Sequence, residues 1–299
     1  MSMNLLILLL TTILFESCGS PSQEVRLPTV SGYFYSSDPQ ELSATVQDFM
    51  AKAEQIPFAR TGKLWGLIVP HAGYEYSGEV AGYAYGQLKG NNFDTVVLIG
   101  PSHRHAFRGV SVGDYTSYQT PLELVPVNRE LVKGLINSHE LISFYHQAHD
   151  NEHSIEVQLP FLQSALSNFK IVPILMGDIS LHTCQVLANT LYDVCKNKNI
   201  LFIATSDLSH FYPYSQAIEI DNKTIEAITS FNAELLFTGI INGNYELCGA
   251  SPVITLLLLA KRLEIMSPLL LKYMNSGDVY DGNKLQVVGY SSFILYESK

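Results

Sequence analysis

Apolar and polar positions fall in blocks along this chain, and the period of the blocks keeps changing. Residues 64–69 and 94–99 are short and almost wholly apolar, with Val96, Val97, Leu98 and Ile99 consecutive. Uninterrupted runs of that length suit strands buried on both faces, as in a parallel sheet. Residues 201–204 read the same way. So do residues 171–175, but their internal Pro173 predicts an edge position, because proline cannot donate to a neighbouring strand. Helical periodicity marks residues 40–55, 77–88, 129–138, 154–166, 181–195, 222–237 and 252–263. Pro160 is expected to bend the fourth of these helices. Residues 110–124 carry only short strand-like pieces, and 270–274 and 286–296 supply late strands, the last broken at Ser291 and Ser292. This alternation predicts an α/β fold, a three-layer sandwich around a mostly parallel central sheet. Residues 26–299 contain no internal repeat and no separating linker, so they read as one domain.

Polar residues follow several of the apolar runs directly. Val69-Pro70-His71-Ala72-Gly73-Tyr74 ends the first, Gly100-Pro101-Ser102-His103-Arg104-His105 the second, and Thr205-Ser206-Asp207-Leu208-Ser209-His210 the run at 201–204. Open α/β sheets bind ligands outside the carboxyl ends of their strands, so these tips are expected to converge. Cys248-Gly249-Ala250-Ser251-Pro252 precedes a helix, where a thiol pKa is expected to be depressed. Asp150-Asn151-Glu152-His153-Ser154-Ile155-Glu156 opens another helix and is expected to bring His153 to the same pocket.

Imidazole and thiolate donors together suit iron, copper or zinc. His71, His103, His210, Asp207 and Cys248 can therefore serve a metal, while Asp207 could instead orient an imidazole or accept a proton, and His153 is expected to face the same pocket. Each also has a plainer reading, as a structural histidine, a turn-capping aspartate or a buried neutral thiol. Ser102 and Ser206 keep a metal-independent hydrolase open, although no Gly-x-Ser-x-Gly elbow is present. The glycine patterns of dinucleotide and phosphate loops are both missing.

Composition narrows the partners. The 299 residues carry a net charge of −10 and no basic tract, which argues against nucleic-acid binding. Only 15 % are charged, so uncharged polar groups and the 17 tyrosines must cover much of the surface. Cys184 and Cys195 fall on one helical face about 16 Å apart, too far for a disulfide, and read as apolar filler.

The N-terminus differs from the rest. Leu5 to Phe15 is nearly continuous apolar sequence, too short for an ordinary membrane helix and about right for an export signal. It ends at Cys18-Gly19-Ser20, which resembles a bacterial lipoprotein attachment site. Residues 1–18 are thus expected to be a signal ending near a lipidated Cys18, and residues 19–25 a tether. The expected location is outside the cytoplasm, anchored to a membrane through that lipid. The alternative is a cytoplasmic protein with an apolar N-terminus.

Across the body the chain resembles the Memo family, also described as the AmmeMemoRadiSam system protein B family. The matching residues are Pro70-His71-Ala72-Gly73-Tyr74 with Ser77-Gly78, Leu98-Ile99-Gly100-Pro101-Ser102-His103, and Glu152-His153-Ser154-Ile155-Glu156 with Leu159-Pro160. Ser206-Asp207 with His210, and Cys248-Gly249 with Pro252, complete the set. The resemblance implies a fold like the class III extradiol dioxygenases, non-haem iron enzymes that cleave catechol rings. It also implies a pocket of His71, His103 and Cys248 associated with iron or copper, with Asp207 and His210 nearby and His153 at its border. Those dioxygenases use two histidines and a glutamate, so Cys248 argues against ring cleavage. Family members in animals act in signalling and bind phosphotyrosine-containing peptides.

The main expectation is a Memo-like, metal-dependent redox enzyme acting on an unknown small substrate. The alternatives are a non-catalytic metal- or peptide-binding protein and a metal-independent hydrolase.

Overall fold

The computed structural model of the protein describes residues 24–53, 62–279 and 284–298. Strand β1 (Val25–Arg26) leads to helix α1 (Pro39–Ala53), followed by β2 (Leu64–Val69), α2 (Tyr74–Tyr85) and β3 (Thr95–Pro101). Three short strands, β4 (Val110–Val112), β5 (Ser117–Gln119) and β6 (Leu124–Pro126), precede α3 (Arg129–Ile136), β7 (Ile142–Ser143) and α4 (His146–Asp150). Next come α5 (Leu159–Ala165), β8 (Lys170–Met176), α6 (Leu181–Cys195), β9 (Ile200–Thr205) and β10 (His210–Tyr212). The chain closes with α7 (Tyr214–Thr229), α8 (Ala233–Ile241), α9 (Ala250–Arg262), β11 (Leu269–Asn275), α10 (Ser276–Val279) and β12 (Val287–Tyr296).

The main sheet runs β10-β12-β2-β9-β3-β8-β4-β7, with β11 also paired to β12. β1, β5 and β6 form a small separate sheet. The fold is α/β, but the sheet is mixed rather than mostly parallel. β2, β9, β3 and β8 pair in parallel, as do β4 and β7, while β12 pairs antiparallel with β2, β10 and β11, and β4 antiparallel with β8. Every residue of β2, β3 and β9 is buried, which is why their sequences read as unbroken apolar runs.

Four local expectations are corrected. Pro173 lies in an interior strand, between β3 and β4. Its carbonyl accepts from Gly113 N at 2.9 Å, just past the end of β4. A strand residue's N–H and C=O point the same way, so the missing donor faces the place where β4 stops. Pro160 does not bend a helix but stands in the first turn of α5, where no intrahelical donor is needed. The predicted helix at 222–237 is two helices, parted where Phe231 turns left-handed (φ 56°) and the Asn232 side chain caps α8 by accepting from Leu235 N. β12 runs unbroken through the buried Ser291 and Ser292, because both pair across to β11.

The expectation of export, a signal and a lipid anchor at Cys18 is also corrected. No helix among the described residues is long and apolar enough to cross a membrane. Residues 1–23, on which that expectation rested, lie outside the described residues.

Candidate metal centre

β2, β9 and β3 are adjacent and parallel, so His71, Asp207 and His103 leave the sheet at one edge. A bond from Ser206 N to Val69 O at 2.9 Å holds the first two loops together. Cys248 arrives from the loop before α9, which packs on β9 and β3. Gly249 permits that approach: a Cβ there would stand 2.0 Å from Thr205 O. The Ser206 hydroxyl accepts from Gly249 N at 2.8 Å and donates to Asp207 O, tying the cysteine loop to the aspartate loop. A fifth segment lies over β3, where Ser154 Oγ donates to Pro101 O at 3.0 Å.

The expected residues meet. One ligand atom each from His71, His103 and Cys248 lies within 4.8 Å of the others, and the same holds for Asp207, His210 and Cys248, and for His103, Glu152 and His153. His71 Nε2 is 3.1 Å from Cys248 Sγ. The His103 and His153 rings stack with centroids 4.7 Å apart and 20° between planes, and His71 stands nearly edge-on to both. Phe34 closes the side of His153 at 4.9 Å.

The donor set fits a transition metal ion. His71 Nδ1 is engaged with Thr205 Oγ1 at 2.9 Å, and His103 Nδ1 with Glu152 Oε1 at 2.9 Å. Each ring is thereby oriented with Nε2 as its available donor, the arrangement that metal-binding histidines usually show. Glu152 also accepts from His103 N at 2.6 Å, His153 N at 3.0 Å and Ser154 N at 2.9 Å. Asp207 accepts from His71 N at 2.8 Å.

Electrostatics disfavour the charged forms of His71 and His153. Burial holds His71 well below the usual imidazole range, and the charges of His103, His153 and His210 add to that. Burial takes His153 down to about 4, against the pull of Glu152. Burial alone would raise Glu152, but the hydrogen bond and charge of His103 outweigh it and hold the carboxyl at about 2. Burial raises Asp207 to about 6, opposed by the His71 N–H bond. For Cys248 the expected depression is reversed, because burial and then the Asp207 charge push the thiol well up.

Sequence reasoning missed the support beneath the site. Glu152 was visible only as one letter of a motif, yet it orients His103. Behind it, buried Arg26 donates to Glu152 O at 2.6 Å and to His149 O, and pairs with Glu156. Glu156, fully buried, also accepts from Thr29 N, Val30 N and the Tyr35 hydroxyl at 2.7 Å. No short motif announces contacts that span more than a hundred residues. The serines expected of a hydrolase are committed to backbone: Ser102 donates to His105 O at 2.8 Å, and neither Ser102 nor Ser206 bonds an imidazole among the described residues.

Fold and site together define an α/β protein with a histidine–histidine–cysteine cluster at its strand ends, able to coordinate a metal ion. The Memo-like protein family matches residues 26–294, and the chain belongs to the MEMO1 family. A MEMO1 family protein of Sulfolobus acidocaldarius is 37 % identical over 282 residues, covering 90 % of this chain and 98 % of that one. One from Methanobrevibacter smithii is 36 % identical over 281 residues, covering 91 % and 99 %. One from Methanocaldococcus jannaschii is 37 % identical over 286 residues, covering 91 % and 99 %. Among solved structures, an uncharacterized Escherichia coli K12 protein aligns with a TM-score of 0.46 and 13 % identity over 78 % of this chain and 100 % of that one.

Proposed function

We propose that this protein is a metal-binding protein that holds a small molecule or peptide against an ion bound by His71, His103 and Cys248. The observation that carries the reading is the pre-orientation of both histidines, each with Nδ1 engaged and its other nitrogen left for the cluster. Two imidazoles and a thiolate suit iron or copper, and zinc after them. When bound, such an ion supplies a Lewis acid, and iron or copper also a one-electron centre. Residues 26–299 then form a single Memo-like domain. We read its layers as an extradiol-dioxygenase-like sandwich, supported by the four-stranded parallel centre and by helices that pack as two groups, α1-α2-α5 and α3-α6-α9.

A second reading, metal-dependent redox chemistry, is favoured by the proton-carrying groups beside the cluster. Asp207 and His210 would accept or return a proton, and His153 would orient the bound molecule.

Metal analysis of protein purified without oxygen tests the proposal. Wild type is expected to carry iron or copper, and His71→Ala and Cys248→Ser to lose most of it. Unchanged occupancy in both variants would overturn the assignment.

A further inference from the structure

The strands that carry the metal centre at their ends have a hollow at their beginnings. A cavity of about 690 Å³ lies where β2 and β9 start, so the length of those strands, roughly 20 Å, separates it from His71 and Asp207. Part of its wall is apolar. Trp65 and Phe202 stack there with ring centroids 5.0 Å apart, and Leu191, Leu263 and Ile265 line the cavity beside them. A cavity of that volume, walled by apolar side chains with a few polar groups among them, is of the kind that takes small molecules.

The polar part of the wall carries a surplus of positive charge on an acidic protein. Lys63, Lys196 and Lys198 line the cavity against Glu264 and Glu297, whereas the whole chain has 18 Lys and Arg against 28 Asp and Glu. Glu297 is matched by Lys63, Nζ to Oε1 3.5 Å. Lys196 and Lys198 remain against the single carboxylate of Glu264.

Structural duties do not use up both lysines. The carboxyl ends of α6 and α9 border the cavity, and cations there offset the helix dipoles. α9 has Lys261 and Arg262 in its last turn, with Arg262 lying over the Tyr192 ring at 4.1 Å. α6 has Lys196 directly after its last residue, over the same ring at 5.6 Å. Lys198 comes later, after Asn197 has turned the chain left-handed (φ 62°) and Lys198 N has bonded back to Cys195 O at 3.2 Å. Its ammonium has no bonded partner among the described residues.

The two parts of the wall ask for two parts of a ligand. The apolar part rewards a body that leaves water, and the lysines reward an anionic head. A small inorganic anion would leave the first unused, and a neutral apolar molecule the second. We propose that this cavity is a ligand site separate from the metal centre and that it takes an amphiphilic anion, its apolar body against Trp65 and Phe202 and its carboxylate or phosphate head at Lys196 and Lys198.

Trp65 is the only tryptophan of the chain, so selective excitation of the indole reports this cavity. The protein is titrated with octanoate, octyl phosphate, octanol and inorganic phosphate. At least one of the two amphiphilic anions is expected to change the indole emission saturably, and the tighter of them names the head. Octanol and inorganic phosphate should each bind more weakly than that anion. Replacing two exposed cations, Lys196→Gln with Lys198→Gln, should weaken its binding about fivefold, in keeping with two solvent-exposed ion pairs. High salt should weaken binding to wild type in the same direction, a second reading that needs no substitution. No saturable indole response to either amphiphilic anion overturns the proposal, as does octanol or inorganic phosphate binding as tightly as the better anion. Affinity unchanged both by salt and by the double substitution overturns it too.

Discussion

Replacing Glu152 by glutamine isolates the group that orients His103. The side chain keeps its size but loses its charge and one acceptor. Oε1 accepts from His103 Nδ1, His153 N and Ser154 N, whereas Oε2 accepts only from His103 N. The amide therefore settles with its oxygen at the Oε1 position, keeping three bonds and turning its NH2 toward the His103 amide. One buried donor is then left facing another, which costs about 1–3 kcal/mol of stability. Metal affinity falls separately. The carboxylate holds the ring in place and raises its basicity, and loss of such a partner typically weakens binding about 10–100-fold. That range corresponds to roughly 1.4–2.7 kcal/mol. Competition between the protein and a chromogenic chelator for zinc measures the affinity, and urea denaturation without metal measures stability. A folded Glu152→Gln protein that binds zinc as tightly as wild type would refute the reasoning, showing that His103 is held by its surroundings instead.

Two further outcomes follow from buried charge elsewhere. Arg26→Met leaves the Glu156 carboxylate buried without its cation, which should cost roughly 3–5 kcal/mol in chemical denaturation; a loss under about 1 kcal/mol would contradict the pairing seen here. His149 is depressed to about 3, first by burial and then by the Arg26 charge, from an unfolded value near 6.5. The unfolded chain therefore takes up this proton first, so the contribution is intact above about pH 6.5 and is lost as pH falls towards 3. Between about pH 6.5 and 4.5 wild type should lose about 2 kcal/mol more stability than His149→Gln, and parallel pH profiles would count against it.

The parallel centre of the sheet was legible because burial on both faces leaves a simple trace, the unbroken runs in β2, β3 and β9. The loops after those strands were legible for the same reason: once the strands are neighbours, His71, His103 and Asp207 must share an edge. The flanks were not. β10 and β12 pair antiparallel around a register shift, and β4 has three residues, too short for a period to show. Pro173 was misplaced because its cost depends on what lies opposite the missing N–H, a fact about β4 and not about Pro173. Arg26, Glu152 and Glu156 were missed for a related reason. Buried charge is tolerated only through partners brought from afar, and a single chain read locally displays the charge without the partners.

Cys248 shows how local and tertiary effects compete. A thiol just before a helix feels the positive end of the helix, and that alone would lower its pKa. Here the same thiol is half-buried, accepts an amide bond from Asp207 N at 3.3 Å, and lies near the Asp207 carboxylate. Desolvation and a neighbouring negative charge both favour the neutral form, and together they outweigh the helix. The arrangement makes sense if a cation replaces the proton: it would stabilise the thiolate and the adjacent Asp207 charge, the two groups that are mutually unfavourable without it.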